Sequence, residues 1–408
     1  MGLTMQRYSL VMCLFLGLIG TILPTFGQGG MTRPGTFDFN DDGIVFMTSD
    51  SMSKVNLRFR IENQAVFTSS DENITNIGST ELGIRRARIR LGGYLFDPRL
   101  FYVFHISFAR GDLDLPDQGF PNIIRDAVAG WQFNPDLQVS FGLAKLPGNR
   151  QRVVSSADMQ YIERSVVNSN FTLDRDFGVF ANYRVWLGDI PVWIKGAVSS
   201  GDGRNQGKIA GDGIAFTARL EVLPFGAFTK GGDYVEGDIF REQKPKLSVG
   251  FSANANNRGS RTRGTLGTNL FEQRSSTTLY ADALFKYNGF AAYGEWAKRS
   301  CDNPITTSAD GKSTAAVVVG SGFMGQASYI LPFDLEFGAR YASVTPDAIM
   351  SGQVGGFKEN TISGIAVYHI KLHRIKLMSE VMHDQQISLA TNTEANFWVI
   401  RFGMELGI

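Results

Sequence analysis

The sequence predicts an all-β fold, a transmembrane antiparallel β-barrel of about 16 strands with an inward-folded third extracellular loop. Amphipathic segments that read as β-strands follow one another from residue 54 to residue 408. The connectors between these segments alternate between short turns and long polar loops, as in outer-membrane barrels. After the N-terminal region no apolar run reaches the roughly 18 residues that a transmembrane helix needs.

The composition narrows the class of protein. The chain has 408 residues, is rich in Phe (31) and Gly (46), and has only 19% charged residues. Its 40 basic and 39 acidic residues nearly cancel, which argues against nucleic acid as a partner. With two cysteines, one of them at position 13, no disulfide framework or thiolate metal site is expected. We therefore expect no metal and no cofactor.

The first 27 residues are predicted to be a cleaved signal peptide. Arg7 is their only charged residue, and the apolar run from Leu10 to Leu23 is too short for an ordinary membrane span. A membrane anchor is the alternative for this run. The predicted domain organisation is a signal peptide at 1–27, an N-terminal periplasmic lead-in at 28–53 and the barrel domain at 54–408.

The predicted strands are longer than those of most soluble sheets and match the thickness of a bilayer. Short turns with Gly, Pro, Asn or Asp should lie on the periplasmic rim, and the long loops on the outer rim. The connector at 225–243 breaks this rule, because it is long where a short turn is expected. The predicted segments are 54–69, 80–96, 100–110, 124–133, 137–145, 173–187, 191–200, 213–224, 244–257, 276–288, 290–301, 315–331, 333–346, 357–370, 373–386 and 394–408.

Arginines crowd one face of the first two strands. Arg58 and Arg60 alternate with apolar residues in the first, and Arg86, Arg88 and Arg90 do so in the stretch GIRRARIRLGGYLF. Each basic residue on the lipid face would cost about 2–4 kcal/mol at the bilayer midplane. These arginines must therefore face water, which in a barrel of about 16 strands means a hydrated channel.

Alternation places Arg85 on the opposite, outward face, near the long-loop rim, where it could meet lipopolysaccharide phosphates. In a soluble sandwich, the rival fold, the arginine face would be the solvated surface and the aromatic face a core. The alternation of connector lengths over the whole chain favours the barrel.

The longest connector, residues 146–172, contains a helix signal. Ser155 or Ser156 can cap a helix in which Met159, Ile162 and Val166 recur at helical spacing. If its apolar stripe packs on the inner wall, the loop narrows the channel and its charges act on passing ions. An external loop with solvated charges is the alternative. The basic residues predicted to reach the channel here are Lys145, Arg150, Arg152 and Arg164.

This connector carries a resemblance to a known family. Its Ser155-Ser156 pair, the segment Tyr161-Ile162-Glu163-Arg164-Ser165 and the strand start Asp174-Arg175-Asp176-Phe177-Gly178 are similar to the phosphate-selective porin O and P family. The arginine strand RRARIRLGGYLFD also resembles that family's second strand. The resemblance implies a trimeric 16-stranded barrel with an inward third loop and anion uptake. Arg175, within this motif, joins the predicted pore-lining set.

Other motifs do not indicate catalysis or metal binding. DFNDDG at 38–43 begins like a calcium loop, but Ser49 stands where a bidentate Glu is required, which favours an ordinary turn. Residues 310–314 lack the upstream Gly of a phosphate-binding loop. His369 and His373 flank a turn, where a metal site is not expected. No nucleophile signature appears, so the chain is not expected to be an enzyme.

These observations together predict a passive channel for small hydrophilic solutes in the outer membrane of a Gram-negative bacterium. The clustered arginines indicate a bias toward anions such as phosphate. The expected partners are outer-membrane lipid and lipopolysaccharide, small anions, and two further copies of the chain in a homotrimer. A non-selective general-diffusion porin and a non-conducting structural or adhesive barrel remain as alternatives.

Overall fold

The computed structural model describes residues 35–40, 43–109, 122–204 and 213–408. The predicted signal peptide, residues 1–27, lies outside the described residues, as do Asp41 and Asp42 of the calcium-like turn. No helix in the described part of the chain is long and apolar enough to cross a bilayer.

The described chain is mostly β-strand, with two short helices and two 3-10 turns. The strands are β1 (Thr36–Asn40), β2 (Gly43–Met47), β3 (Lys54–Ser69), β4 (Ile77–Tyr94), β5 (Leu100–Ser107), β6 (Ile124–Asn134), β7 (Leu137–Lys145), β8 (Arg175–Leu187), β9 (Ile190–Ser199), β10 (Ala215–Val222), β11 (Lys246–Arg263), β12 (Leu266–Tyr287), β13 (Phe290–Ser300), β14 (Ile305–Thr307), β15 (Thr314–Ala316), β16 (Gly320–Ile330), β17 (Leu335–Pro346), β18 (Phe357–Lys371), β19 (Ile375–Ser388) and β20 (Glu394–Gly407). The helices are α1 (Arg150–Val153) and α2 (Val166–Phe171), and the 3-10 turns are Thr229–Tyr234 and Ala348–Met350.

Sixteen of these strands, β3–β13 and β16–β20, form a closed antiparallel barrel, as predicted. Each pairs with the next barrel strand along the chain, and β20 returns to pair with β3 from Thr68 opposite Val399 to Arg60 opposite Gly407. Closure leaves no unpaired edge within the wall. The hairpin β1–β2 extends the wall beyond the end of β20, because β2 pairs with Lys54–Leu57 of β3.

Alternation along the strands separates an apolar face from a polar one. In β10, Phe216 and Leu220 are about half exposed, whereas Arg219 and Glu221 are buried. In β20, Phe402 is exposed and Glu405 is buried. The exposed aromatic and aliphatic side chains form the band that faces lipid in a membrane barrel, and the charged side chains face the interior.

The strand boundaries differ from the predicted ones mainly at the long-loop rim. Predicted loop 258–275 is largely the extension of the hairpin β11–β12, which continues to Arg263 and resumes at Leu266. The predicted strand 315–331 begins only at Gly320, because residues 314–316 pair instead with 305–307 as the small hairpin β14–β15. These rim segments are polar, so their alternation is weak in the sequence.

Candidate functional site

The largest group of basic side chains surrounds a cavity of about 620 Å³. Ten of its lining residues are basic and three are acidic, so the formal charge around it is strongly positive. The basic residues are Arg58, Arg60, Arg88, Arg90, Arg125, Lys145, Arg152, Arg164, Arg175 and Arg374, and the acidic ones are Asp126, Asp158 and Glu405. Eight of the ten basic residues predicted from the sequence meet here.

The register of β3 and β4 places arginines directly opposite each other. Arg58 faces Arg90, and Arg60 faces Arg88. Like charges in such cross-strand positions repel, so this arrangement needs compensation. Part of it comes from the connector 146–172, where the Ser156 hydroxyl accepts hydrogen bonds from Arg60 Nη2 at 3.0 Å and Arg88 Nη1 at 2.6 Å.

Arg86 does not line this cavity. Its side chain is 2% exposed, and Nη1 lies 2.5 Å from Glu62 Oε1, its cross-strand neighbour. Both terminal nitrogens also donate to the Ile162 carbonyl at 3.1 Å. Arg86 therefore joins the barrel wall to the connector 146–172.

The prediction that Arg85 faces outward is wrong. A β-bulge at this point lets Glu62 pair with Arg86 and Asn63 with Ile84, which leaves Arg85 as the extra residue. Arg85 consequently turns to Glu163, which accepts hydrogen bonds from Nε and, at 2.9 Å, from Nη2. Burial opposes ionisation of Glu163, but this hydrogen bond and the charge of Arg86 outweigh it and lower the pKa of the carboxyl group to about 2.

Arg150 is buried on a different side of the barrel and also does not line the large cavity. Nε lies 2.6 Å from Asp282 Oδ1 and Nη2 lies 2.8 Å from Glu221 Oε1. Nη2 also donates to the Ser248 hydroxyl at 2.7 Å. Since these partners belong to β10, β11 and β12, Arg150 fixes the start of the connector to that part of the wall.

The helix predicted within the connector does not form. Residues 155–165 are irregular, and the short helices α1 and α2 lie on either side of them. Backbone carbonyls that would accept hydrogen bonds within a helix accept them here from side chains of the wall. Lys376 Nζ donates to Met159 O at 2.6 Å, and Arg340 Nη1 donates to Glu163 O at 3.0 Å. The N-cap is Ser165, whose hydroxyl accepts from the Asn168 amide of α2.

A second cavity, of about 410 Å³, lies against the same connector. It is lined by residues near the long-loop ends of β18 and β19, among them Glu359 and Asp384. Arg152 and Arg164 line both this cavity and the larger one. The two spaces therefore meet at these two guanidinium groups.

Arg152 and Arg164 are held in different ways. Arg152 Nε makes an ion pair with Asp174 Oδ1 at 2.7 Å. Arg164 donates to neutral acceptors, from Nε to the Gln151 carbonyl at 2.8 Å and from Nη2 to the Val154 carbonyl at 2.9 Å. These bonds orient the Arg164 guanidinium, and neither of them pairs it with a carboxylate.

Comparison with known proteins identifies the family. The family model for phosphate-selective porin O and P matches residues 55–352. The chain belongs to this porin family. It is an outer-membrane porin of the Gram-negative type, as predicted. A search of curated proteins gave no match.

Solved outer-membrane porins share the fold of this porin at low sequence identity. Salmonella typhi OmpF in complex with daunomycin is 14% identical, with a TM-score of 0.54 and coverage of 91% of this chain and 100% of that one. An anion-selective porin from Comamonas acidovorans is 13% identical, with a TM-score of 0.51 and coverage of 87% and 100%. The trimer form of Vibrio cholerae OmpT is 13% identical, with a TM-score of 0.51 and coverage of 86% and 99%.

The residues of the porin's main cavity that were not predicted include Arg125, the pair His105 and Asp126, and Arg374. Arg125 is an extra residue at a second β-bulge, where His105 pairs with Asp126 and Ile106 with Ile124. His105 Nδ1 lies 2.8 Å from Asp126 Oδ2, and Arg175 Nε lies 2.7 Å from Asp126 Oδ1. Asp126 thus partly neutralises this side of the cavity. Arg374 lies in the turn between β18 and β19, although the predicted strand 373–386 included it.

Proposed function

We propose that this porin is a passive diffusion channel for small hydrophilic solutes that favours anions, phosphate among them. The proposal rests on one observation: two cavities, lined on opposite sides of the connector 146–172, share only Arg152 and Arg164. A solute passing from one cavity to the other must pass these two side chains. Because the surrounding protein excludes water, it strengthens the field of their charges on an anion.

We further propose that the connector 146–172 lies within the lumen as the inward third loop. Its contacts support this position, since it hydrogen-bonds Arg86 of β4, Asp282 of β12 and Lys376 of β19. Strands so far apart around a closed barrel can touch one segment only if that segment crosses the interior. The loop then divides the lumen into the two cavities.

The role of the predicted basic residues follows from this position. Two of them hold the loop against the wall: Arg86 of the wall donates to the Ile162 carbonyl of the loop, and Arg150 of the loop pairs with the buried Asp282 carboxylate of the wall. The other eight form the anion path. Those eight are Arg58, Arg60, Arg88, Arg90, Lys145, Arg152, Arg164 and Arg175.

The remaining proposals concern export and partners. The signal peptide at 1–27 is removed, the segment 28–53 stays in the periplasm and 54–408 is the barrel domain. The exposed apolar face contacts outer-membrane lipid and lipopolysaccharide, and the porin assembles as a homotrimer, as the trimer form of OmpT does. Transport is passive and requires neither a catalytic group nor a cofactor.

Planar-bilayer recording tests the anion preference. Under a KCl gradient, the reversal potential should show that chloride permeates better than potassium, and phosphate should reduce the chloride current by competing at the basic side chains. A preference for potassium would contradict the proposal. A non-selective porin is the second candidate, because Glu163, Glu359 and Asp384 balance part of the positive charge in the smaller cavity. A reversal potential near zero would favour that candidate.

A further inference from the structure

The connector 225–243, between β10 and β11, lies on the rim where the other connectors are short. We propose that it is a second lumen segment. It enters from the periplasmic rim, packs against the inward loop and closes the side of the lumen formed by β10–β13. Solutes are then confined to the basic side. This role deepens the proposed channel function and rests on it.

The connector contacts inward-facing side chains of the barrel wall. Lys286 of β12 donates to the carbonyls of Gly232 and Val235, both at 2.8 Å. The Tyr234 hydroxyl donates to Glu221 Oε2 of β10 at 2.6 Å. A turn that stayed at the rim could not reach side chains buried inside the barrel.

The same connector contacts the inward loop directly. The Glu236 amide donates to the Asp158 carbonyl at 2.8 Å, and Glu236 Oε2 accepts from the Gln160 amide at 3.0 Å. Arg150 Nη1 donates to the Asp233 carbonyl at 2.7 Å. The inward loop, which starts at the long-loop rim, and the connector, which starts at the opposite rim, are therefore hydrogen-bonded to each other.

Almost no space remains where the two segments meet. The cavity lined by both of them has a volume of about 10 Å³, enough for one water molecule at most. Residues of the connector line neither the cavity of about 620 Å³ nor that of about 410 Å³. The connector thus fills one side of the lumen and leaves the arginine-lined side open.

The connector is also fixed at its ends. Asp238 is 1% exposed and accepts a hydrogen bond from the Gly289 amide of the neighbouring turn at 2.7 Å. Glu242 is 2% exposed and accepts from the Thr229 amide at 2.7 Å, which closes the connector on itself. These bonds fix the connector both to the neighbouring turn and to itself, as a selectivity-determining segment requires.

The first experiment shortens the connector. Residues 225–243 are replaced by Asn-Gly-Asn-Gly, a turn like the other connectors on that rim, and the purified porin is recorded in a planar bilayer. Single-channel conductance should rise about two-fold or more, because a 16-stranded lumen without such a segment is a wide aqueous channel. The anion-to-cation permeability ratio should fall. A folded variant with wild-type conductance would overturn the proposal.

The second experiment tests the contact itself, independently of conduction. In a Cys301→Ser background, Asp158→Cys and Glu236→Cys should form a disulfide on mild oxidation, detected as a mobility shift on a non-reducing gel. The matched control pairs Asp158→Cys with Asp189→Cys, in an exposed turn of the same rim, and should not cross-link. If the first pair fails to cross-link, the connector does not lie in the lumen. If the cross-link forms but the wild type prefers cations, only the proposed anion selectivity fails.

Discussion

Replacing Arg164 with Gln should reduce anion selectivity more than replacing any basic residue that lies outside the passage between the two cavities. Arg164 lies where the two cavities meet, and its hydrogen bonds go to the carbonyls of Gln151 and Val154. An anion passing about 4 Å from one positive charge gains about 1 kcal/mol in bulk water and up to about 4 kcal/mol at an effective dielectric constant of about 20. Even the lower value corresponds to about a five-fold change in the permeability ratio.

The assay is the reversal potential of single channels under a KCl gradient, compared between wild type, Arg164→Gln and a control, Arg99→Gln. Arg99 is an exposed residue of a periplasmic turn, paired with Asp97 at 2.7 Å. Its replacement should leave the permeability ratio unchanged. If Arg164→Gln forms channels whose chloride-to-potassium ratio stays within about two-fold of wild type, its charge does not act on the passage.

Three further changes test other parts of the structure. Arg150→Met should lower the free energy of unfolding by about 3 kcal/mol, the lower end for breaking a buried ion pair, because Asp282 and Glu221 lose Arg150 but keep Arg219. Urea titration followed by tryptophan fluorescence measures this loss. The Arg85–Glu163 contact should survive acidification to about pH 3, because the pKa of Glu163 in the folded protein is lowered to about 2. The stability that this contact adds is fully present above the pKa that Glu163 has in the unfolded chain, and it is lost as the pH falls through about 2. Pepsin, which is active in acid, should therefore cleave the loop no faster at pH 3 than at pH 4 once its rates are scaled to those on an unfolded substrate, and faster cleavage would contradict the assignment. Gly237→Ala should destabilise the fold by about 1–2 kcal/mol or more, since Gly237 has φ +66° and a Cβ there would lie 2.7 Å from Glu336 Oε1; an unchanged urea midpoint would refute this.

The fold was predictable because one simple constraint acts along the whole chain. Every spanning strand must show an apolar face to lipid and a polar face to water, and β10 and the end of β20, from Phe402 to Gly407, display that alternation residue by residue. The clustering of Arg58, Arg60, Arg88 and Arg90 followed from the same rule.

The positions of Arg85 and Arg125 could not be predicted in this way. Each is the extra residue of a β-bulge, which shifts the alternation by one and adds a guanidinium to the inner face. Local sequence signals did not mark either bulge. The helix predicted around Met159 failed for a related reason, because wall side chains such as Lys376 bind carbonyls that only the closed barrel brings near.

The pairing of the first barrel strand with the last has a consequence for biogenesis. The seam between β3 and β20 can form only after the whole chain has been delivered to the membrane. Glu62 of β3, Glu405 of β20 and Lys376 of β19 belong to one group of buried charges at that seam. Arg60 of β3 and Glu405 of β20 can pair only when the seam forms, so the last step of insertion is also the step that brings these two opposite charges together. A barrel arrested before this step should be a substrate for periplasmic proteases.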